Sequence, residues 1–348
     1  MKLAPVDAAN IKSKLQIKIS HRNWAEALQQ FHIALITAAP GEVVCLTGAS
    51  RIGKTRLVQH VKELVTGSSD SAEYNKYLCV SVLAANTGTD GRFSTKSFAA
   101  RLLAALDHPS LELLDDLARA AKLDRLTETG LVGMIVRSLR RRGVRYLIID
   151  EAQHVQYTPK ATIAPSAVMD AWKGLAEDAG VVLVIVGAYP VLSVIKESPH
   201  LSGRTRIIHF PPYAPNKEDM EEFLSIANTF LASSGQQICL NLNDYLPVLY
   251  EHTLGCIGLL RMWFLDALNY SERRGVPLTA EVLDTHRKPY SMMEGIIHEM
   301  EEGHRNLLLT KADFDASFVP QEKFIRTKSI KNKAFQKKPR RVAAENRT

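Results

Sequence analysis

The stretch Gly48-Ala-Ser-Arg-Ile-Gly-Lys-Thr55, GASRIGKT, decides how this chain is read. It fits the pattern G-x-x-x-x-G-K-[ST] in full. Glycines in such a loop let successive backbone N–H groups curl around phosphate oxygens, and a following helix N-terminus adds a favourable dipole. The lysine neutralises β- and γ-phosphates, and the last hydroxyl ligates Mg²⁺. Gly48, Ala49, Ser50, Arg51, Ile52, Gly53, Lys54 and Thr55, with Arg56 beside them, are therefore the candidate phosphate cradle, and Thr55 is a candidate metal ligand. The flanks suit this role. An apolar run at 43–47 reads as a buried strand, and 55–66 reads as a helix stopped by Gly67. A merely tight strand-to-helix turn has no need of a Lys-Thr pair.

A second string, RYLIIDEAQH at 145–154, is an apolar strand ending in adjacent carboxylates. Asp150 at its tip is placed to hold Mg²⁺ through water, and Glu151 to orient or deprotonate an attacking water. Acidic residues are also favoured at any helix start, so the string gains its meaning from the phosphate loop upstream. Together the two strings imply hydrolysis of ATP with Mg²⁺, catalysed by Lys54 and Glu151. Guanine-reading patterns N/T-K-x-D occur at 216–219 (NKED) and 310–313 (TKAD), but neither follows a buried strand and the chain has no D-x-x-G switch. Asn216 reads instead as a helix N-cap.

The third string is VVLVIVGAYPVL, followed by SGRTRIIHFPPY. In oligomeric ATPases the strand after the metal site often ends in a polar residue that touches the γ-phosphate. Here the tip is Gly187-Ala188-Tyr189, and Tyr189 offers only its hydroxyl. Arg204 and Arg206 follow. An arginine supplied in trans stabilises transition-state charge, and Arg204 is the better candidate because Arg206 sits closer to the strand. Both are also what a surface arginine entering a strand looks like.

Working outward, strands at 43–47, 77–83, 145–149, 181–186 and 206–210 alternate with helices at 24–38, 55–66, 95–106, 111–121 and 128–141. Continuously apolar strands indicate a parallel sheet covered on both faces. The expected fold is an α/β P-loop domain with a five-stranded parallel sheet over 21–215, after an N-terminal extension at 1–20. A small all-α lid domain over 216–310 follows, with one doubtful strand at 237–240, then a basic flexible tail over 311–348. The 348 residues are 46% hydrophobic and 23% charged, which excludes wholesale disorder. No apolar run is long enough to span a bilayer, and the N-terminus lacks a signal-peptide core. The four cysteines never fall in CxxC spacing, which argues against a zinc cluster and fits a reducing, cytoplasmic setting. Net charge is +7, and nine basic residues with no acidic one lie at 323–341. Removing those nine leaves about −2, so the rest is near neutral. Such a tail contacts nucleic acid or an acidic partner, or simply solubilises. Trp24, Trp172 and Trp263 read as core anchors, and His154, His209 and His252 as packing or surface residues.

Taken together, GASRIGKT, LIIDEAQH, VVLVIVGAYPVL and the arginine-bearing turn before IIHFPPY resemble AAA+ ATPases of the TniB/TnsC type, regulators of transposition, over roughly residues 20–270. The resemblance implies a bacterial protein that assembles with ATP into rings or filaments on duplex DNA. It implies a TniQ/TnsD-type target selector and a transposase as partners, and a filament remodelled by hydrolysis. It also implies sequence-independent DNA contacts after the second strand, here Arg92, Ser94, Thr95 and Lys96, residues that would equally suit an ordinary capped helix start. Two features depart from the family. The strand tip is apolar, and Gly258 stands where a second sensor arginine often falls, with Arg261 as a possible substitute.

Three other readings remain open. A replication initiator or loader of the same clade would normally carry a winged-helix domain, for which 270–348 looks short and basic. A secretion scaffold would carry a membrane span or wall-binding module. A monomeric nucleotide-gated signalling ATPase would ignore DNA.

Overall fold

The sheet forms where the sequence is continuously apolar. In a computed structural model, which describes residues 19–67, 77–85, 91–108, 126–158, 163–308 and 312, β1 (Val43–Gly48) and β4 (Val182–Gly187) are buried along their whole length. β3 (Tyr146–Asp150) is buried up to its terminal aspartate. β2 (Cys79–Leu83) and β5 (Thr205–Phe210) carry exposed residues, as edge strands do. All pairings are parallel, and the order is β2-β3-β4-β1-β5. β4 thus separates the strand that feeds the phosphate loop from the strand that ends in Asp150 and Glu151. Ligands of such sheets bind beyond the carboxyl ends of the strands.

Local chemistry sets the helices around it. α1 (Arg22–Thr37) is capped by His21, whose ring accepts from the Trp24 N–H. α2 (Lys54–Thr66) springs directly from the phosphate loop. Ser94 and Thr127 cap α3 (Thr95–Ala105) and α4 (Glu128–Arg141) through their hydroxyls. A 3-10 turn (Ala152–Tyr157) follows β3. α5 (Pro165–Ala179) fills a stretch for which the sequence reading proposed no element. α6 (Pro190–Glu197) and the short α7 (Pro199–Ser202) lead into β5.

The remainder is mostly helical: α8 (Lys217–Ser234), α9 (Leu242–Thr253), α10 (Ile257–Arg274), α11 (Ala280–His286) and α12 (Tyr290–Asn306). Phe223, Leu249, Leu260, Trp263, Phe264 and Leu283 gather there in a second apolar cluster. Fully burying such a side chain contributes about 1.5–3 kcal/mol. Asn216 caps α8 by accepting from the Asp219 N–H at 2.9 Å, the role its sequence position suggested. The doubtful strand at 237–240 reduces to one bridge, Ile238 to Leu278. No helix among the described residues is long and apolar enough to cross a membrane. The expected helix at 111–121 and nearly all of 311–348 lie outside the described residues. By its contacts the chain divides after Asn306.

Candidate nucleotide site

The loop after β1 owes its shape to backbone geometry. Gly53 has φ +118, a conformation closed to residues with a Cβ, and it turns the chain into α2. Arg51 is also left-handed, with φ 65. Lys54 Nζ folds back to donate to the carbonyls of Gly48 and Ala49, each at 2.9 Å. Burial pushes its ammonium below the ordinary lysine range, opposed by the nearby Glu151, Glu299 and Asp150 carboxylates. The Thr55 hydroxyl donates to Asp150 Oδ2 at 3.0 Å, and Asp150 Oδ1 accepts from the Glu151 N–H at 2.9 Å. Burial raises Asp150 above the usual carboxylate range, and those two bonds hold it back. Glu151 adopts φ 56 and ψ 35, a region uncommon for a non-glycine residue, and such residues cluster at active sites and switch regions.

Thr55 and Asp150 therefore meet at hydrogen-bond distance with hard oxygen donors, which suits Mg²⁺. No group of three His, Cys, Asp or Glu side chains forms a metal cage among the described residues. An ion that takes its other ligands from phosphate and water fits this donor set.

The tip of β4 reaches into the same site. Tyr189 is 1% exposed, and its hydroxyl lies 2.8 Å from His209 Nε2. The Ala49 N–H supports the phenol oxygen, and burial pushes the phenol upward. Its hydroxyl is thus held between His209 and the Ala49 N–H of the phosphate loop itself. Gln153 also lies against the tip. Its Oε1 accepts from the Ala188 N–H at 3.1 Å and its Nε2 donates to Glu151 Oε2 at 2.5 Å.

α12 closes one side, a contribution that sequence reasoning missed. Glu299 accepts from the Ser50 N–H at 3.1 Å and from the Ser50 hydroxyl at 2.8 Å. Ser193 donates to Glu302 at 3.0 Å and Lys196 to Asn306 at 3.0 Å, so α12 is tied to α6. Gly303 lies against the Tyr189 ring.

The cleft between these parts has a volume of about 1160 Å³ and is lined among others by His21, Trp24, His60, Lys54, Glu151 and Arg261. Trp24 is half-buried on this wall, 6.0 Å from Phe210 in an edge-on arrangement, and so is not the core anchor expected. Trp172 and Trp263 are buried. Burial pushes His21 down to about 4. Gly258, in the first turn of α10, packs against the loop so closely that a Cβ there would lie 2.0 Å from the Arg51 carbonyl oxygen. That contact explains why no arginine stands at 258. Arg261, one turn on, reaches the cleft, where burial and the nearby Arg56 charge lower it from the ordinary arginine range.

The remaining candidates lie outside the cleft lining. Arg206 donates to the Thr37 hydroxyl at 2.7 Å and pairs with Glu42 at 3.0 Å. Arg204 is exposed, 3.6 Å from Glu177. Near α3, the Ser94 hydroxyl accepts from the Ser97 N–H and Thr95 donates to Glu128 at 2.6 Å. Arg92 is exposed and Lys96 is half-buried.

Fold and site define a P-loop nucleotide-binding protein of the α/β class. Residues 39–195 match the sequence model of a family described as an AAA domain, and that part of the chain is an AAA+ P-loop domain. The match spans the phosphate loop, Asp150 and Glu151, and the β4 tip. No curated protein sequence matches the chain. Among solved structures it is similar to the Aeropyrum pernix ORC1 protein in complex with DNA, at TM-score 0.55 and 16% identity over 85% of this chain and 72% of that one. It is also similar to the Aeropyrum pernix ORC2 protein in its ADPNP-ADP complexes, at 0.52 and 15% over 81% and 74%. A Walker-type ATPase of Pyrococcus abyssi scores 0.51 at 14% over 84% and 80%. At these identities the likeness is one of fold.

Proposed function

We propose that this chain is a Mg²⁺-dependent AAA+ ATPase of the initiator or loader kind, which assembles on duplex DNA in its ATP state. The observation that carries the reading is the meeting of Lys54, Thr55, Asp150 and Glu151 across the tips of β1 and β3. Lys54 leaves its two carbonyl partners for the phosphates. Thr55 and Asp150 would hold Mg²⁺, which neutralises charge on the β- and γ-phosphates when bound. Glu151 takes a proton from water while the water oxygen bonds to the γ-phosphorus. The bond from that phosphorus to the β–γ bridging oxygen breaks, and the electron pair leaves with ADP. Trp24 offers the base an aromatic wall.

DNA binding draws support from the fold shared with an initiator solved on DNA, and from the basic and hydroxyl residues Arg92, Ser94, Thr95 and Lys96. Such contacts go to phosphates and weaken with salt. Self-assembly draws on the exposed Arg204, with Arg206 held locally. A division at about 215 into an α/β domain and a helical lid, with a basic tail after 310, belongs to the same proposal. Regulation of transposition, with a TniQ/TnsD-type selector and a transposase as partners, is a second reading favoured by the motif strings alone.

The test is electron microscopy of the purified chain with duplex DNA, with and without a slowly hydrolysed ATP analogue, beside Lys54→Ala. Rings or filaments that need both ligands and vanish in the variant are expected. Monomers under every condition overturn assembly. Stimulation of a neighbouring transposase or loading of a helicase then separates the two readings.

A further inference from the structure

The strand order puts the tip of β4 between Lys54 and Glu151, so a group on that tip can report on one to the other. The one polar group on the tip, the Tyr189 hydroxyl, is already taken up by His209 and the Ala49 N–H. Gly187 and Ala188 lack functional side chains. Yet the space above Gly187 is filled by a polar group: a Cβ at Gly187 would lie 2.8 Å from Gln153 Oε1 and 3.2 Å from Val191 Cβ. The Gln153 amide therefore rests directly on the tip.

Its orientation is fixed by chemistry. The Ala188 N–H can only donate, so the amide oxygen must face it at 3.1 Å. That leaves the NH₂ group for the Glu151 carboxylate, which can only accept when ionised, and the 2.5 Å contact obeys that demand. Glu151 needs such a restraint. Its side chain is 44% exposed and projects from a left-handed backbone at the start of the 3-10 turn.

We infer that Gln153 is a positioning residue for hydrolysis: it ties the Glu151 carboxylate to the backbone at the tip of β4. The inference rests on Glu151 acting as the base for water. A displacement of the tip as the terminal phosphate is seated is carried to the carboxylate through one amide. This tether comes from two residues beyond the base itself, on the turn after β3.

Steady-state ATPase kinetics and fluorescent-nucleotide binding on the full chain test this with Gln153→Ala and Gln153→Glu, beside Glu151→Gln. Gln153→Glu keeps the size and the acceptor for Ala188 but sets a like charge against Glu151. Both Gln153 variants are expected to lose about 10- to 100-fold in kcat, the scale of a misplaced catalytic group. KM and nucleotide Kd should stay within about threefold, since ground-state binding is untouched. A residue that merely supports the fold would instead move melting temperature, KM and Kd together. Wild-type kcat in both variants, or a raised KM with kcat unchanged, overturns the inference. If Gln153→Ala fails to fold, Gln153→Glu decides alone. Undiminished kcat in Glu151→Gln removes the underlying reading and the inference with it. Inactive Glu151→Gln beside fully active Gln153 variants overturns the inference alone.

Discussion

One rim of the cleft, residues 48–55, presents backbone groups, shaped by Gly53 and stitched by Lys54 to its own carbonyls. The adjoining rim, where the β4 tip and α12 meet that loop, presents side chains: Gln153 from the turn after β3, and Glu299 from a helix 249 residues beyond its partner Ser50. The first rim is a local object whose eight consecutive residues contain their own geometry. The second exists only because strand order and helix packing bring distant residues together. The rims also differ in charge. Lys54 is the buried cation of the first, while Glu299 joins Asp150 and Glu151 as a third carboxylate near it. The same perturbation should therefore act with opposite sign at the two rims.

The largest effect is expected at the backbone rim. Lys54→Ala removes the buried cation that faces the carboxylates and would meet the phosphates. Truncating one partner of such a pair costs about 2–5 kcal/mol, so nucleotide Kd should rise by about 100-fold or more. Fluorescent-nucleotide titration reads it directly. Binding within a few-fold of wild type would mean that the loop amides alone hold the phosphates, and the contrast between the rims would fail.

How much of this was legible follows from the same contrast. Five strands were visible because parallel strands buried on both faces are continuously apolar, as in 181–186. The phosphate loop and the Asp150-Glu151 pair were visible because each is contiguous. α5 was missed although Pro165 at its first turn and Gly180 at its end are ordinary start and stop signals. Gln153 was in plain view, but its role depends on β4 lying beside β3, which no local pattern encodes. Glu299 was not legible. It is one of Glu294, Glu299, Glu301 and Glu302 in an acidic helix, and only packing selects it. Trp24 was assigned to the core because amphipathic spacing does not distinguish a core face from a cleft wall.

Acid should weaken the side-chain rim. Burial and the neighbouring His304 push His209 down to about 4. With the Ala49 N–H at the phenol oxygen, Tyr189 is left to donate its proton to His209 Nε2, which must then be unprotonated. Between pH 6.5 and 4 the unfolded chain binds more protons at this site than the folded one. Its contribution is therefore complete above pH 6.5 and is lost as pH falls toward 4. The loss is about 1.4 kcal/mol per unit, roughly 3 kcal/mol at most. Burial depresses His304 too, so it acts in the same direction. Urea midpoints measured from pH 7 to 4 should fall less steeply in His209→Gln than in the parent chain. Parallel slopes would remove the histidine from the account.

The mildest prediction is also the one that sets the rims against each other most directly. In Glu299→Gln the amide oxygen can still accept from Ser50, so the contact that holds α12 to the loop is retained while its negative charge is removed. Nucleotide phosphates arriving beside Lys54 then meet two carboxylates instead of three. A like-charge pair at close range costs about 1–4 kcal/mol across the effective dielectrics of a partly solvated cleft. Part of that is already offset by Lys54, so about 1.4 kcal/mol, a tenfold tighter Kd, is the reasonable scale. The gain should be larger for ATP than for ADP, because the triphosphate carries more charge, and it should shrink as salt is raised. A purely mechanical role for α12 predicts no gain, since the bond is conserved. Weaker binding in Glu299→Gln would mean that the carboxylate supports the loop in its receptive shape, and the two rims would then act with the same sign.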